Sequence, residues 1–177
     1  MGQVSRTGLV VVAVVMSING PRASEPNRAE SHIRFNSARI SELFRYGMKH
    51  SPSFRDLVAT LELLDRIVYV EEGSCRQRVI TACLQLMPES AGLKKLLVKF
   101  DPRQPSRRAV SRLAHELYHA AEVGREADVT DQASLRRLYA RIGYRSCLDS
   151  EDCWETRAAL AFEALVMEDL GGSGPPE

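Results

Sequence analysis

The chain has 177 residues, of which 44% are hydrophobic, 27% charged and 6% aromatic, and its formal net charge is +1. This composition is typical of a globular protein, and the length is enough to bury a sizeable core in one domain. The near-neutral charge, the few aromatic residues and the lack of a long block of like charges argue against a nucleic-acid partner.

The first 23 residues have the pattern of a secretory signal peptide. Residues 1–8 carry one arginine and no acid, and an unbroken apolar run, LVVVAVVMSI, follows at 9–18. The run is shorter than the roughly 20 apolar residues of a membrane span. We therefore predict a secreted or periplasmic protein with no stable membrane span after cleavage. Cleavage is expected after Ala23 or nearer residues 17–20; an uncleaved anchor or a buried strand is the competing interpretation.

After a polar linker at residues 24–33, two segments repeat apolar residues with helical spacing. They are NSARISELFRYGMKH (36–50) and SPSFRDLVATLELLDR (51–66). Ser51 followed by Pro52 is a typical helix start. These segments predict a helical N-terminal part.

Three strand-like segments follow, rich in β-branched residues and separated by the turn-forming stretches GSC and PESAG. They are IVYVEE (67–72), RVITACLQLM (78–87) and KLLVKFD (95–101). Short strands in close succession predict a small antiparallel three-stranded sheet.

Helical patterns return at residues 106–123, 131–144 and 150–170, and glycines follow the first and the last of them. The predicted class is α+β, with one domain at residues 34–171 and a disordered tail at 172–177. The helix at 106–123 is expected to pack against the last helix.

The four cysteines are Cys75, Cys83, Cys147 and Cys153. An even number in an exported chain favours disulfides, and the absence of a C-x-x-C spacing disfavours a cysteine-rich zinc site. Three pairings are open, of which the local pairs Cys75–Cys83 and Cys147–Cys153 are the simplest.

The segment LAHELYHAAEV (113–123) contains the pattern H-E-x-x-H, formed by His115, Glu116 and His119. On a helix, residues four apart lie on one face, so both imidazoles can reach one metal ion. Glu116 is rotated away from that ion and can hold a water molecule as general base. Both histidines lie opposite the apolar face of the helix. A solvated polar face, or histidines capped by neighbouring acids, is the alternative.

A catalytic zinc needs a third protein ligand. The extended pattern HExxHxxGxxH is excluded because the chain has Glu122 and Arg125 at the required glycine and histidine positions. Glu122 is seven residues beyond His115, about 10.5 Å along a helix axis. We therefore expect Glu122 to be an outer acceptor beside His119, a partner for Arg125, or an exposed acid.

Glu155 is the best candidate for the third ligand. On the predicted last helix it shares a face with apolar residues, namely Ala158, Ala159, Phe162 and Val166. A carboxylate inside an apolar stripe is normally paired or metal-bound. A buried salt bridge with Arg112 or Arg108 is the alternative. Two other acids of this helix, Glu163 and Glu168, are expected to be solvated.

A strand, an H-E-x-x-H helix and a later helix with E-x-x-A (ETRAALAF) together resemble the gluzincin branch of the zincin metallopeptidases, over roughly residues 95–170. The resemblance implies that His115, His119 and Glu155 bind Zn²⁺ and that Glu116 is the general base. It also implies that the alanine of E-x-x-A permits close helix packing. The first two predicted helices match no pattern of that family.

The predicted function is therefore zinc-dependent hydrolysis of peptide bonds in a peptide or protein substrate, in the manner of a metalloendopeptidase. The strand ending near Asp101 could pair with an extended peptide. Tyr139 and Tyr144 are candidate donors to the oxyanion, although each is more typical of a core or surface tyrosine. One alternative is a non-enzymatic exported binding domain that retains or has lost the zinc. Another is a metal-free interaction domain stabilised by disulfides.

Overall fold

A computed structural model of the chain describes residues 31–75, 82–90, 92–147 and 153–171. The predicted signal peptide, most of the predicted linker and the predicted disordered tail lie outside the described residues. In the described part of the chain, no helix is both long enough and apolar enough to cross a membrane.

The described residues form helices and strands in an α+β arrangement, as predicted. The strands are β1 (Ile33–Phe35), β2 (Ile67–Glu72), β3 (Ala82–Ser90), β4 (Leu93–Phe100), β5 (Tyr144–Arg145) and β6 (Trp154–Glu155). The helices are α1 (Ala38–His50), α2 (Pro52–Leu61), α3 (Ser106–Gly124), α4 (Gln132–Ile142) and α5 (Arg157–Asp169). Side-chain oxygens cap four helix starts, at Ser37, Ser51, Asp131 and Thr156.

The main sheet is four-stranded and mixed, so the prediction of three antiparallel strands is wrong in its details. The strand order is β1-β2-β4-β3. Only β3 and β4 pair antiparallel, through a turn at Gly92, whose φ of 75° suits glycine. Strand β3 lies at the edge of the sheet, and β4, which follows β3 in the chain, lies between β2 and β3. Strand β4 is antiparallel to β3 and parallel to β2. The extra strand, β1, begins at Ile33, the last residue of the predicted linker, and pairs parallel with β2.

Helix α3 is the centre of the packing. Twelve of its 19 residues are buried, including both histidines on the side that the sequence marks as polar. Its apolar side packs in the core with the sheet and with α1 and α2. At Gly47 of α1, an added Cβ would lie 3.0 Å from side chains of Phe54 and Val110, so glycine permits this close approach. Helix α5 packs against the other side of α3 and covers the histidines.

The C-terminal part differs from the prediction in where its helices begin and end. Helix α4 ends at Ile142, so Tyr144 lies on β5. Helix α5 begins at Arg157, capped by Thr156, so Glu155 lies on β6 and not on the last helix. Ala158, at the alanine position of E-x-x-A, is exposed, whereas Ala159 is buried.

The cysteines form the two local disulfides, which confirms the simplest of the three pairings. Cys75 bonds to Cys83, and Cys147 bonds to Cys153. The second disulfide lies just before β6. Disulfides of this kind indicate an oxidising, extracellular environment.

Candidate metal centre

Two buried histidines of α3 form the floor of the site. His115 is 2% exposed and His119 is 5% exposed. Being one helical turn apart, they bring their Nε2 atoms to 3.1 Å from each other, with the rings edge to face. At that distance at most one of the two nitrogens can donate a proton to the other.

Glu155 reaches both histidines from β6. Its Oε2 lies 3.2 Å from His115 Nε2, and its Oε1 lies 3.3 Å from His119 Nε2. Oε1 also accepts a hydrogen bond of 2.7 Å from the backbone N–H of Thr156. Glu155 is paired in register with Tyr144 of β5, and this pairing sets its backbone beside α3.

The three residues predicted as ligands therefore lie together and could hold a metal ion. Zinc bonds of roughly 2.0–2.1 Å to nitrogen and oxygen give tetrahedral ligands about 3.3–3.4 Å apart. The two Nε2 atoms are 3.1 Å apart, and each is 3.2–3.3 Å from a different oxygen of the Glu155 carboxylate, so each of these contacts is close to that spacing. With one ligand atom taken from each residue, the three atoms lie within 4.8 Å of one another. Two imidazoles with one carboxylate suit zinc and several other transition metals, so the geometry leaves the identity of the metal open.

Two further carboxylates contact the Nδ1 atoms of the histidines, which face away from Glu155. Glu122 Oε2 lies 2.7 Å from His119 Nδ1, and its side chain is 8% exposed. The prediction that Glu122 is an acceptor beside His119 is confirmed. Its other oxygen accepts a hydrogen bond of 2.8 Å from Thr156, the residue that caps α5. Carboxylates in this position hold a ligating histidine in the tautomer whose Nε2 is free to bind metal.

Glu163 is the counterpart of Glu122 on the other histidine, and the prediction that it is solvated is wrong. Its Oε2 lies 3.0 Å from His115 Nδ1, in an approach too oblique for a straight hydrogen bond, and 3.3 Å from Arg112. Glu163 shares the buried face of α5 with Ala159 and Val166, which lie four residues before it and three after it. Arg112, expected as an alternative partner of Glu155, is thus engaged by Glu163.

The charges in the site determine where protons are held. Burial lowers the pKa of His115, but the close contacts with the carboxylates of Glu155 and Glu163 outweigh burial and raise that pKa to about 9. Burial also lowers the pKa of His119, but hydrogen bonds to Glu122 and Glu155 outweigh it and raise that pKa to about 9. Burial raises the pKa of Glu155, but hydrogen bonds from both histidines outweigh it and hold the pKa well below its usual range. Either protons or a metal cation can therefore balance the negative charge around His115 and His119.

Glu116 lies beside these ligands in the wall of a cavity of about 300 Å³. It is 5% exposed, and its carboxylate makes no hydrogen bond or salt bridge to any other residue of the described chain. Burial raises its pKa, while the nearby histidines and Arg112 act in the opposite direction. A buried carboxylate without a direct partner is costly to charge, so Glu116 is suited to exchanging a proton.

Helix α4 forms a wall that the sequence analysis missed. Gln132, Leu135, Arg136 and Tyr139 all line the cavity. Their spacing of three and four residues is the helical stripe that could have identified this face. Tyr139 is buried, with its ring centroid 5.6 Å from that of His119. Tyr144, the other candidate oxyanion donor, is 44% exposed and is not among the residues found to line the cavity.

Comparison with protein-family models, with curated proteins and with solved structures finds no match for this chain.

Proposed function

We propose that the protein is a zinc-dependent peptide hydrolase in which His115, His119 and Glu155 hold the metal and Glu116 is the general base. One observation carries this proposal. The two Nε2 atoms lie 3.1 Å apart, each lies 3.2–3.3 Å from one oxygen of the Glu155 carboxylate, and a buried carboxylate with no direct partner among the described residues, Glu116, borders the same cavity.

When bound, zinc supplies a Lewis acid that polarises the scissile carbonyl and activates water. Glu116 takes the proton from the attacking water and then delivers it to the leaving amine. Its burial raises its pKa, which favours holding the proton between these two steps. Tyr139, in the cavity wall, is the candidate donor to the oxygen that gains negative charge.

The edge of β3 is where we propose that an extended substrate binds. The strand ending near Asp101 is β4, and it is paired on both sides, so the prediction that it offers an edge to the peptide is wrong. Among the described strands, β3 is paired only with β4. Its residues Ala82, Cys83 and Leu84 line the cavity, so a peptide added to this edge would run past the metal ligands.

A metal with a purely structural role explains the cluster less well. Structural zinc sites almost always have four protein ligands, whereas three residues of the described chain converge here. A structural ion would also have no use for a general base such as Glu116. The two disulfides fit a protein that works outside the reducing cytosol. We propose that residues 1–23 direct the export.

The test compares wild type with Glu116→Gln in zinc content and in hydrolysis of a mixed library of internally quenched peptides. Glu116→Gln should retain zinc but lose about 10²- to 10⁴-fold in kcat/KM, the usual size of a general-base contribution. Glu168→Gln, an exposed acid of α5, is the matched control and should behave as wild type. Hydrolysis that persists in Glu116→Gln, or in wild type after chelation, would contradict the proposal.

A further inference from the structure

The third candidate ligand is carried by a very small element. Glu155 is the second residue of β6, and within the described chain β6 pairs only with the two residues of β5. One more backbone hydrogen bond, of 3.0 Å from Ser146 N–H to the carbonyl of Cys153, extends this hairpin. An isolated two-stranded ribbon has little stability of its own. Something besides the pairing must hold Glu155 at the histidines.

The Cys147–Cys153 disulfide links the two strands at the loop end of this hairpin. Cys147 is two residues beyond β5, and Cys153 is two residues before Glu155. Both cysteines line the cavity that contains the metal cluster. A covalent link at this point restricts the chain just before the ligand and so removes alternative positions for it.

Gly143 constrains the same backbone from the opposite end of the hairpin. A Cβ at position 143 would lie 2.5 Å from the carbonyl oxygen of Glu155 and 3.2 Å from the side chain of Thr156. The peptide of Glu155 is therefore packed directly on glycine. The ligand sits between this close contact and the disulfide, and neither lies on α3.

We propose that the Cys147–Cys153 disulfide is a positioning device for Glu155, so that the metal affinity of the site depends on the oxidation state of this disulfide. This rests on the metal site of the proposed function, but not on peptidase activity. Reduction by a dithiol transfers two electrons and two protons to the disulfide. Two thiols form, the dithiol becomes a disulfide, and β6 is released from its link to Cys147.

The test measures zinc affinity by competition with a chromophoric chelator. The variant Cys147→Ser/Cys153→Ser should bind zinc at least about tenfold more weakly than wild type, as when outer support of a metal ligand is removed. The comparison variant is Cys75→Ser/Cys83→Ser, which removes the other local disulfide; Cys83 borders the same cavity, but neither cysteine is joined to a segment that carries a candidate metal ligand. It should leave affinity within about threefold. Circular dichroism checks that both variants are folded.

A double-mutant cycle separates positioning from general loosening of the fold. In a Glu155→Gln background, removing Cys147 and Cys153 should cause little further loss of affinity, because the ligand that the disulfide positions is already gone. A full additive loss in that background would overturn the inference. This cycle remains informative even if the cysteine variant is less stable.

Reduction of wild type tests the redox coupling directly. The protein is reduced with dithiothreitol, freed of reductant under nitrogen and titrated with zinc. Affinity should fall and should return on reoxidation, whereas Cys147→Ser/Cys153→Ser should not respond. If the reduced protein bound zinc as tightly as the oxidised protein, or more tightly, this inference would be overturned but the proposed function would not. Wild type that binds no zinc in any state would overturn the proposed function as well.

Discussion

At the scale of residues, the cluster brings together groups that are stable near one another only with a shared cation. Two imidazoles face one carboxylate, and two more carboxylates contact their Nδ1 atoms. In a preparation without metal, protons must balance this negative charge, which is why the histidine pKa values rise to about 9. We therefore expect zinc and protons to compete for His115 and His119.

This competition predicts how the stability of metal-free protein depends on pH. A histidine pKa raised from 6.5 to about 9 adds stability that is fully present below pH 6.5 and lost as pH rises through 9. Because both histidines share Glu155, the total loss should be on the order of 3 kcal/mol. Denaturant unfolding in a chelator between pH 6 and 9 measures it.

The control for that experiment is zinc-loaded protein, in which the histidines are held without protons. Its stability should change much less over the same pH range, and its zinc affinity should rise with pH. Metal-free protein as stable at pH 9 as at pH 6 would contradict the proton-sharing description of the cluster.

At the scale of elements, a helix carries two of the candidate metal ligands and a small hairpin carries the third. The position of the hairpin depends on Gly143. We predict that Gly143→Ala displaces the peptide of Glu155, because the new methyl group would lie 2.5 Å from its carbonyl oxygen. Overpacking of this kind should cost about 1–3 kcal/mol of unfolding free energy and weaken zinc binding.

Calorimetric unfolding and zinc competition measure the two effects of Gly143→Ala. Gly73→Ala is the control, because a Cβ at position 73 would meet only Lys99, at 3.8 Å. Equal zinc affinity in the two variants would show that Gly143 does not position the ligand.

The same elements show what the sequence could predict. The H-E-x-x-H pair was recoverable because its spacing is local and one helical turn brings the two imidazoles together. Glu155 was identified as a ligand but assigned to a helix, because its apolar periodicity hid the capping signal of Thr156. Measuring helical phase from Glu155 also placed Glu163 on the flank of the apolar stripe and so predicted a solvated acid, although it contacts His115.

The sheet was less predictable than the helices. Strand β1 has only three residues, too few to show periodicity. The strand order depends on β4 returning between β2 and β3, and this choice is made by tertiary packing rather than by the pattern of any one strand. The cavity wall from α4 was missed because Tyr139 was judged alone rather than with Gln132, Leu135 and Arg136.

At the scale of the whole molecule, the site joins segments that are distant in sequence. The edge strand β3, the helices α3 and α4 and the disulfide-closed hairpin all border one cavity. Each disulfide contributes to its lining, Cys83 from the first and both cysteines from the second. We therefore expect folding in an oxidising compartment and assembly of the proposed metal site to be linked in this protein.

The most direct measurement is the zinc content of purified, reconstituted protein by elemental analysis, for wild type, His119→Ala, Glu155→Ala and the exposed control Glu168→Gln. We predict about one zinc per chain in wild type and in the control, and loss of zinc in the other two, because each removes one of three ligands. Wild type that retains no zinc, or Glu155→Ala that retains it fully, would contradict the three-ligand site.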